Sequence, residues 1–314
     1  MNEPVATALA EGDFEAALDA CDVNTSRAVR ALVLERLGRL DEALALCAAH
    51  LSAAPDDELA LLVLCAVHSR RGERVSALEA AQRLMHEAPD RPVARQLVAS
   101  LGGGSFAAPL RGEVVALFDA YADSFDAHLI ELLGYRGHDA VIGALAALIA
   151  PRPTGVIVDL GCGTGLCGPG LRPLARRLVG VDLSPGMLAE ARARGVYDAL
   201  VEADLLYALA TWPPATVDAF AAADVLGYVG ELGGVFGEAA RVLRPGGLFV
   251  FTVEATTAGP WRLGASRRVA YSEAYLREAC ATAGLTLSRR DAVTLRREDR
   301  VSVAAWLVTL TRAT

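Results

Sequence analysis

From Val156 onward the chain alternates short apolar runs with helical stretches, whereas the part before it reads as helical throughout. Strands are predicted at Val156–Leu160, Leu178–Asp182, Ala199–Glu202, Val217–Ala222, Gly247–Val253, Leu285–Ala292 and Val301–Thr311. Helices are predicted in the gaps at Leu166–Arg177, Pro185–Arg194, Glu231–Leu243 and Ser272–Ala283. Such alternation argues a mainly parallel α/β sheet. The last two strands leave no room for a helix between them, so they are expected to pair antiparallel. Arg296-Arg297-Glu298-Asp299-Arg300 would then be the charged tip of their hairpin.

The first part carries a repeat. Gly38 recurs at Gly72, Ala43 at Ala77 and Pro55 at Pro89, each pair 34 residues apart, which is the period of the tetratricopeptide helix–turn–helix. The glycines would sit where paired helices turn and a Cβ would crowd, the alanines where two helices approach closely. The prolines would close each second helix, since proline has no N–H to continue it. An earlier, shortened copy begins at Gly12, and Pro92–Leu101 reads as a capping helix. Gly102-Gly103-Gly104-Ser105 follows as the boundary between modules. Two helical segments, Val114–Leu133 and Asp139–Ala150, then lead to Pro151 and Pro153, which stop the second. The expected organisation is a helical repeat domain over residues 1–104, a helical linker over 105–150 and an α/β domain over 151–314.

Composition narrows the partners. The 314 residues are 53% apolar and 22% charged, with 30 basic against 38 acidic side chains and a net charge of −8; every basic residue is arginine. Neither part has the basic excess that non-specific binding to a phosphate backbone needs, so nucleic acid is not an expected partner. The longest apolar runs, Leu59–Val67 and Ala140–Ala150, are far short of the ~20 residues that span a bilayer. The acidic N-terminus lacks the pattern of a secretory signal, and the expected location is cytoplasmic. Six cysteines fall in no CxxC pair and no metal-ligand spacing, so no metal site is expected.

The chemistry-bearing motif is Val156-Ile157-Val158-Asp159-Leu160-Gly161-Cys162-Gly163-Thr164-Gly165, a strand running into a glycine loop. Glycines there let backbone N–H groups approach a ligand with no side chain in the way. Gly163, Gly165 and Gly168 also satisfy GxGxxG, the dinucleotide fingerprint. Asp159 argues against that alternative, because a carboxylate beside the loop suits a cationic ligand and repels a pyrophosphate. Pro169 falls where a dinucleotide-binding helix should already be under way, and a nicotinamide-binding sheet continues with parallel crossovers. Asp182 ends the second strand, where its two oxygens match the vicinal hydroxyls of a ribose. Met187 can pack on an adenine face.

Asp159–Gly165, Asp182 and Ser184-Pro185-Gly186-Met187-Leu188 resemble the first motifs of class I S-adenosylmethionine-dependent methyltransferases, and Arg241-Val242-Leu243-Arg244-Pro245-Gly246-Gly247 resembles that family's turn into its fifth strand. With the repeats, and with the stretches Phe118–Leu129 and Ala222–Leu232, the chain is similar to bacterial methyltransferases carrying an N-terminal tetratricopeptide module. The resemblance implies a seven-stranded Rossmann-like methyltransferase sheet whose last strand is antiparallel, preceded by an all-α repeat domain. It implies S-adenosylmethionine as cofactor and S-adenosylhomocysteine as product. Asp159 and the backbone of Gly161, Cys162, Gly163 and Gly165 would hold the methionine part. Asp182, with Leu183 beside it, would hold the ribose, and Asp204 and Leu205 the adenine, on whose face Met187 could pack. Asp224 would lie beside the sulfonium, and Tyr121 would close over the cofactor from the 105–150 lid.

Phe118, Tyr121 and Phe125 are also spaced as the buried stripe of a helix, and that reading stays open. For the acceptor, Asp224, Tyr228, His128 and Tyr271 are candidates for orienting it or taking its proton. Tyr271 stands where the resemblance leads one to expect a histidine, and an unperturbed tyrosine is protonated at neutral pH. The acceptor is expected to be a small molecule or a carrier- or peptide-bound group. In the first case the repeats would serve docking or dimerisation. A non-catalytic adaptor that binds S-adenosylmethionine and a protein partner is the alternative of a different class.

Overall fold

The computed structural model describes residues 1, 3–89, 92–102, 115–116, 118–120, 122, 125–127, 129, 133–149, 153–264, 268–298 and 301–314. These fall into two compact units. One holds the described residues up to 106 together with Leu206–Pro213; the other holds the remainder.

The first unit is helical: α1 Glu3–Ala10, α2 Phe14–Asp19, α3 Arg27–Arg36, α4 Leu40–Leu51, α5 Glu58–Arg70, α6 Arg74–Glu87 and α7 Pro92–Gly102. Side chains cap several N-termini: Asp13 accepts from the Ala16 N–H, Ser26 from Val29 and Asp57 from Ala60. Each cap satisfies a donor that the first helical turn leaves open. Ala17, Ala43 and Ala77 are fully buried, as expected of small residues where helices come close. Gly38 and Gly72 sit at the α3–α4 and α5–α6 turns with φ of +75° and +73°. The expectation that a Cβ would crowd there is not met. A Cβ on Gly38 would come no nearer than 4.0 Å to the Arg70 side chain, and one on Gly72 would meet nothing within 4 Å. Glycine is required by the left-handed backbone, not by lack of room.

Leu206–Pro213 belongs to this helical unit although it lies between two strands of the sheet. Its helix, Leu205–Thr211, is absent from the sequence reading. Leu206–Thr211 are all buried, so no polar face marks the periodicity. The Tyr207 hydroxyl donates to Glu35 Oε2 at 2.9 Å, Arg36 Nη2 donates to the Thr211 hydroxyl at 2.6 Å, and Trp212 Nε1 donates to the Leu9 carbonyl at 2.8 Å.

The second unit is built on a seven-stranded sheet ordered β3-β2-β1-β4-β5-β9-β8. Its strands are β1 Thr154–Leu160, β2 Ala175–Asp182, β3 Ala199–Glu202, β4 Val217–Ala222, β5 Leu243–Glu254, β8 Leu285–Glu298 and β9 Val301–Arg312. β1 to β5 pair in parallel, and β9 runs antiparallel between β5 and β8, as the missing crossover required. Two short strands, β6 Trp261–Leu263 and β7 Val269–Tyr271, form a separate ribbon that the sequence pattern did not announce. Ile157, Ala219 and Val250, from three neighbouring strands, pack with Val141 and Leu145 of the helix Gly137–Ile149.

Two expectations are corrected. The helix predicted at Leu166–Arg177 is one turn, Gly168–Leu171, followed by a 3-10 turn, Arg172–Leu174; β2 already begins at Ala175. Gly168, Pro169, Gly170 and Pro173 deny that stretch a continuous helical ladder. The hairpin strand predicted to end at Ala292 continues to Glu298, so Arg296 and Arg297 lie within β8 and not on a charged tip. No helix among the described residues is long and apolar enough to cross a membrane.

Two glycines separate backbone strain from helix propensity. Gly72→Ala should destabilise by about 1–2 kcal/mol, the cost of placing a Cβ in the left-handed region. Gly143→Ala, in the exposed interior of Gly137–Ile149 with nothing within 4 Å of a new Cβ, should stabilise by about 0.5–1 kcal/mol. Urea unfolding followed by circular dichroism reads both, and equal signs would contradict this account.

Candidate active site

The parallel strands β1–β5 deliver one carboxylate each to the C-terminal edge of the sheet. In spatial order these are Asp204 just after β3, Asp182 on β2, Asp159 on β1, Asp224 just after β4 and Glu254 on β5. The strand order reverses between β1 and β4, which is where open α/β sheets form a ligand crevice.

Asp159 is 1% exposed. Tyr197 donates its hydroxyl to Asp159 Oδ2 at 2.6 Å, and no arginine pairs with the carboxylate among the described residues. Burial, with the Asp182 charge adding to it, pushes its carboxyl up to about 7, against the lowering effect of the tyrosine bond. Burial and the same pairing push the Tyr197 phenol far above its usual range.

The glycine loop turns through Gly161, Gly163 and Gly165, with φ of +67°, +53° and +87°. The Gly161 and Cys162 N–H groups both donate to the Val181 carbonyl, at 2.7 and 3.0 Å, and so fold the loop back against β2. A Cβ on Gly161 would stand 2.3 Å from Val225, whereas one on Gly163 would meet nothing. The open side of the loop is therefore at Gly163. Cys162 is buried, and burial pushes its thiol up, keeping it protonated. The Gly165 N–H donates to the Cys162 carbonyl at 2.8 Å.

Asp182 is held by both oxygens. Oδ2 accepts from the Gly163 N–H at 2.8 Å and Oδ1 from the Ser184 N–H at 2.9 Å. Each oxygen retains a lone pair, so the carboxylate is aimed yet can still accept from a diol. Burial raises its pKa, and these backbone bonds oppose the rise. Ser184 caps the helix Pro185–Arg194 by accepting from the Met187 N–H at 3.1 Å, and Met187 is buried beneath that turn. Leu183, Asp204 and Leu205 are half-buried at the ends of β2 and β3.

The other half of the edge is arranged around arginine. Asp224 adopts φ +59°, unusual for a residue with a side chain, and its N–H donates to the Thr252 hydroxyl at 3.0 Å. Arg296, 1% exposed, donates Nη1 to Asp224 Oδ2 at 3.0 Å and Nη2 to Glu254 Oε1. Arg268 Nη2 stands 4.0 Å from the same Asp224 oxygen, and its Nε donates to the Tyr228 hydroxyl at 2.7 Å. Tyr271 is fully buried, with its hydroxyl 2.6 Å from the Gly230 carbonyl and 3.0 Å from that of Leu226. It ties down the loop after β4, and burial pushes its phenol up.

Tyr121 and His128 lie outside the described residues. Two neighbours in sequence, which were not among the candidate site residues, have partners in the α/β unit. Asp119 accepts from the Ser184 hydroxyl and from the Gly186 N–H at 3.1 Å. Asp126 accepts from the Thr164 hydroxyl at 2.5 Å and from Arg194. Phe118 packs edge-on against Tyr228 at 5.4 Å. The Phe-Asp pair repeated at 118–119 and 125–126 was the signal available for them. Arg296 and Tyr197 were also missed: an arginine in a run of charges, and a tyrosine distant in sequence, carry no local mark of what they touch.

Residues 158–251 match the methyltransferase domain family. The malonyl-(acyl-carrier protein) O-methyltransferase of Yersinia pestis is 32% identical over 140 residues, covering 44% of this chain and 49% of that protein. The biotin biosynthesis bifunctional protein BioHC of Saccharophagus degradans is 33% identical over 160 residues, covering 49% of this chain and 26% of that one. The chain thus spans between a quarter and a half of the length of these curated relatives. Among solved structures, the 1,6-didemethyltoxoflavin-N1-methyltransferase of Burkholderia thailandensis, with 1,6-didemethyltoxoflavin and S-adenosylhomocysteine bound, shares the fold. It superposes with a TM-score of 0.52 at 21% identity, over 67% of this chain and 93% of that one. Residues 158–251 of the α/β unit thus carry a methyltransferase domain, and the unit has the fold of class I S-adenosylmethionine-dependent methyltransferases. S-adenosylmethionine is the cofactor of that class.

Neighbouring arginines on β8 offer a contrast. Arg296→Met leaves Asp224 and Glu254 without their guanidinium and should destabilise by about 3–5 kcal/mol, as removing one partner of a buried ion pair does. Arg297→Met, at an exposed position, should stay within about 0.5 kcal/mol of the parent. Thermal and urea unfolding measure both, and a neutral Arg296→Met would overturn the pairing described.

Proposed function

We propose that this chain transfers the methyl group of S-adenosylmethionine to a small-molecule or carrier- or peptide-bound acceptor by in-line displacement. The observation that carries the reading is Asp159, a buried carboxylate with no cationic partner among the described residues, set beside a glycine loop open at Gly163. An isolated buried carboxylate is costly, and a ligand bearing positive charge offsets that cost. Bound there, the cofactor supplies a methyl group already activated by its sulfonium.

The residues then have separable tasks. Asp159 and the Gly163 side of the loop hold the methionine end. Asp182, fixed by two backbone N–H groups, accepts from the ribose hydroxyls. Leu183, Met187, Asp204 and Leu205 form the adenine side, and Asp224 stands on the far side of β1, toward the sulfonium. Asp119 and Asp126 fasten the segment preceding the domain to the loops after β2 and β1 and help exclude water. Aligning and desolvating two reactants can supply roughly 7–11 kcal/mol of barrier reduction. Tyr271, with its hydroxyl given to backbone carbonyls, is assigned an architectural part and not that of a base. The 34-residue spacing of Gly38 and Gly72, Ala43 and Ala77, and Pro55 and Pro89 supports a tetratricopeptide-type reading of the helical unit, with a peptide or carrier as the chemistry it would dock.

Isothermal titration calorimetry with S-adenosylmethionine and S-adenosylhomocysteine tests the cofactor assignment. The parent protein should bind both. Asp182→Ala should bind each roughly 10–100-fold more weakly, the loss expected for a charge-assisted hydrogen-bond pair. Absence of binding to the parent would remove the reading.

A further inference from the structure

The carboxylates along the sheet edge are treated in two ways. On the β1–β2 side, Asp159 and Asp182 are satisfied by a phenol and by backbone N–H groups, with no arginine hydrogen-bonded to them among the described residues. On the β4–β5 side, Asp224 and Glu254 share Arg296, and a second guanidinium, Arg268, approaches Asp224. The first half suits a cationic ligand; in the second half the carboxylates are already met by guanidiniums, which leaves Arg268 and the Tyr228 hydroxyl as donors toward an acceptor. Arg296 is enclosed, but Arg268 keeps 16% of its side chain exposed and lies over the Tyr228 ring at 5.3 Å. The Tyr228 oxygen accepts from Arg268 Nε, which leaves the phenol's own proton to donate.

This arrangement is poor at taking a proton. Protonating Asp224 or Glu254 would break a buried ion pair with Arg296, and burial pushes the Tyr228 phenol up, so it remains a donor at neutral pH. It is well suited to gripping an oxyanion, since a guanidinium fork and a hydroxyl match a carboxylate. The strained backbone of Asp224, fixed by Arg296 and Thr252, sits at the same spot, and such strain clusters at functional sites.

Building on the methyltransferase reading, we propose that the acceptor is a carboxylate, methylated on oxygen to give a methyl ester, with Arg268 and the Tyr228 hydroxyl holding its non-reacting oxygen. One carboxylate oxygen forms a bond to the methyl carbon while the carbon–sulfur bond breaks, and the electron pair of that bond stays on sulfur. No proton moves, so no base is needed. Opposite charges on donor and acceptor cancel in the displacement, which a site shielded from water favours.

The full-length protein is incubated with S-adenosylmethionine labelled in its methyl group and with bacterial cell extract divided into small metabolites and macromolecules. The recovered product is then exposed to mild alkali. Methyl esters release the label as volatile methanol, whereas methylated nitrogen, carbon, sulfur and ether oxygen retain it. Most of the transferred label should become volatile. Arg268→Gln and, as the milder change, Tyr228→Phe should each lower transfer roughly 10–100-fold while binding S-adenosylhomocysteine within about twofold of the parent. Transferred label that survives alkali, or transfer unaffected by both substitutions, overturns the carboxylate proposal and leaves the methyltransferase reading standing. No label in any fraction, from protein that binds S-adenosylhomocysteine, overturns both and favours an adaptor.

Discussion

The carboxyl group of Asp159 is buried near the C-terminal end of β1, and the hydrogen bond it receives from Tyr197 brings it no positive charge. Burial and the proximity of Asp182 push it up to about 7, so the ligand-free site is poised between the neutral and the ionised acid. The β1–β2 half of the crevice depends on this tension. The loop that follows is folded back by two N–H groups onto β2, which brings Gly163 against Asp182 and fixes the second carboxylate relative to the first. A ligand with a positive centre and a vicinal diol at the right separation satisfies both acids together.

The opposite half reaches a different balance by a longer route. Arg296 enters from β8, the edge strand of the sheet, and forks between the carboxylates of Asp224, just after β4, and Glu254, at the end of β5, which precede it by 72 and 42 positions. The antiparallel insertion of β9 between β5 and β8 thus contributes chemistry as well as architecture, because the hairpin returns an arginine to the crevice. Arg268, just before β7, adds a more accessible guanidinium beside Tyr228. One sheet edge therefore carries acids without an arginine partner among the described residues on one side and acids paired with arginine on the other, and the proposed transfer from a cation to an oxyanion would run at their junction.

Much of this was legible in the sequence. The parallel order and the closing hairpin follow from strand lengths and from the absence of a crossover, and the sequence put Asp159, Asp182 and Asp224 at the ends of strands, whereas Asp204 entered only through the resemblance to methyltransferases. Contacts distant in sequence were not legible. Tyr197 marks no motif, yet its hydroxyl is the partner of Asp159; Arg296 looked like one charge in an exposed run, yet it is among the most buried side chains. The helix Leu205–Thr211 escaped because burial on all sides erased its amphipathic signature. Gly38 and Gly72 were identified correctly as turns, but for a steric reason that the open space around them does not support.

The link between Asp159 and a cationic ligand is tested most directly by proton release. Calorimetric titration of S-adenosylmethionine near pH 6, in buffers of different ionisation enthalpy, counts the protons that leave on binding. A carboxyl that titrates near 7 in the free protein is mostly protonated at that pH and must ionise beside a cation. The parent should release close to one proton (~0.5–1), and Asp159→Asn should release almost none. Equal proton counts for the two proteins would show that the ligand's charge is met elsewhere and would contradict the account.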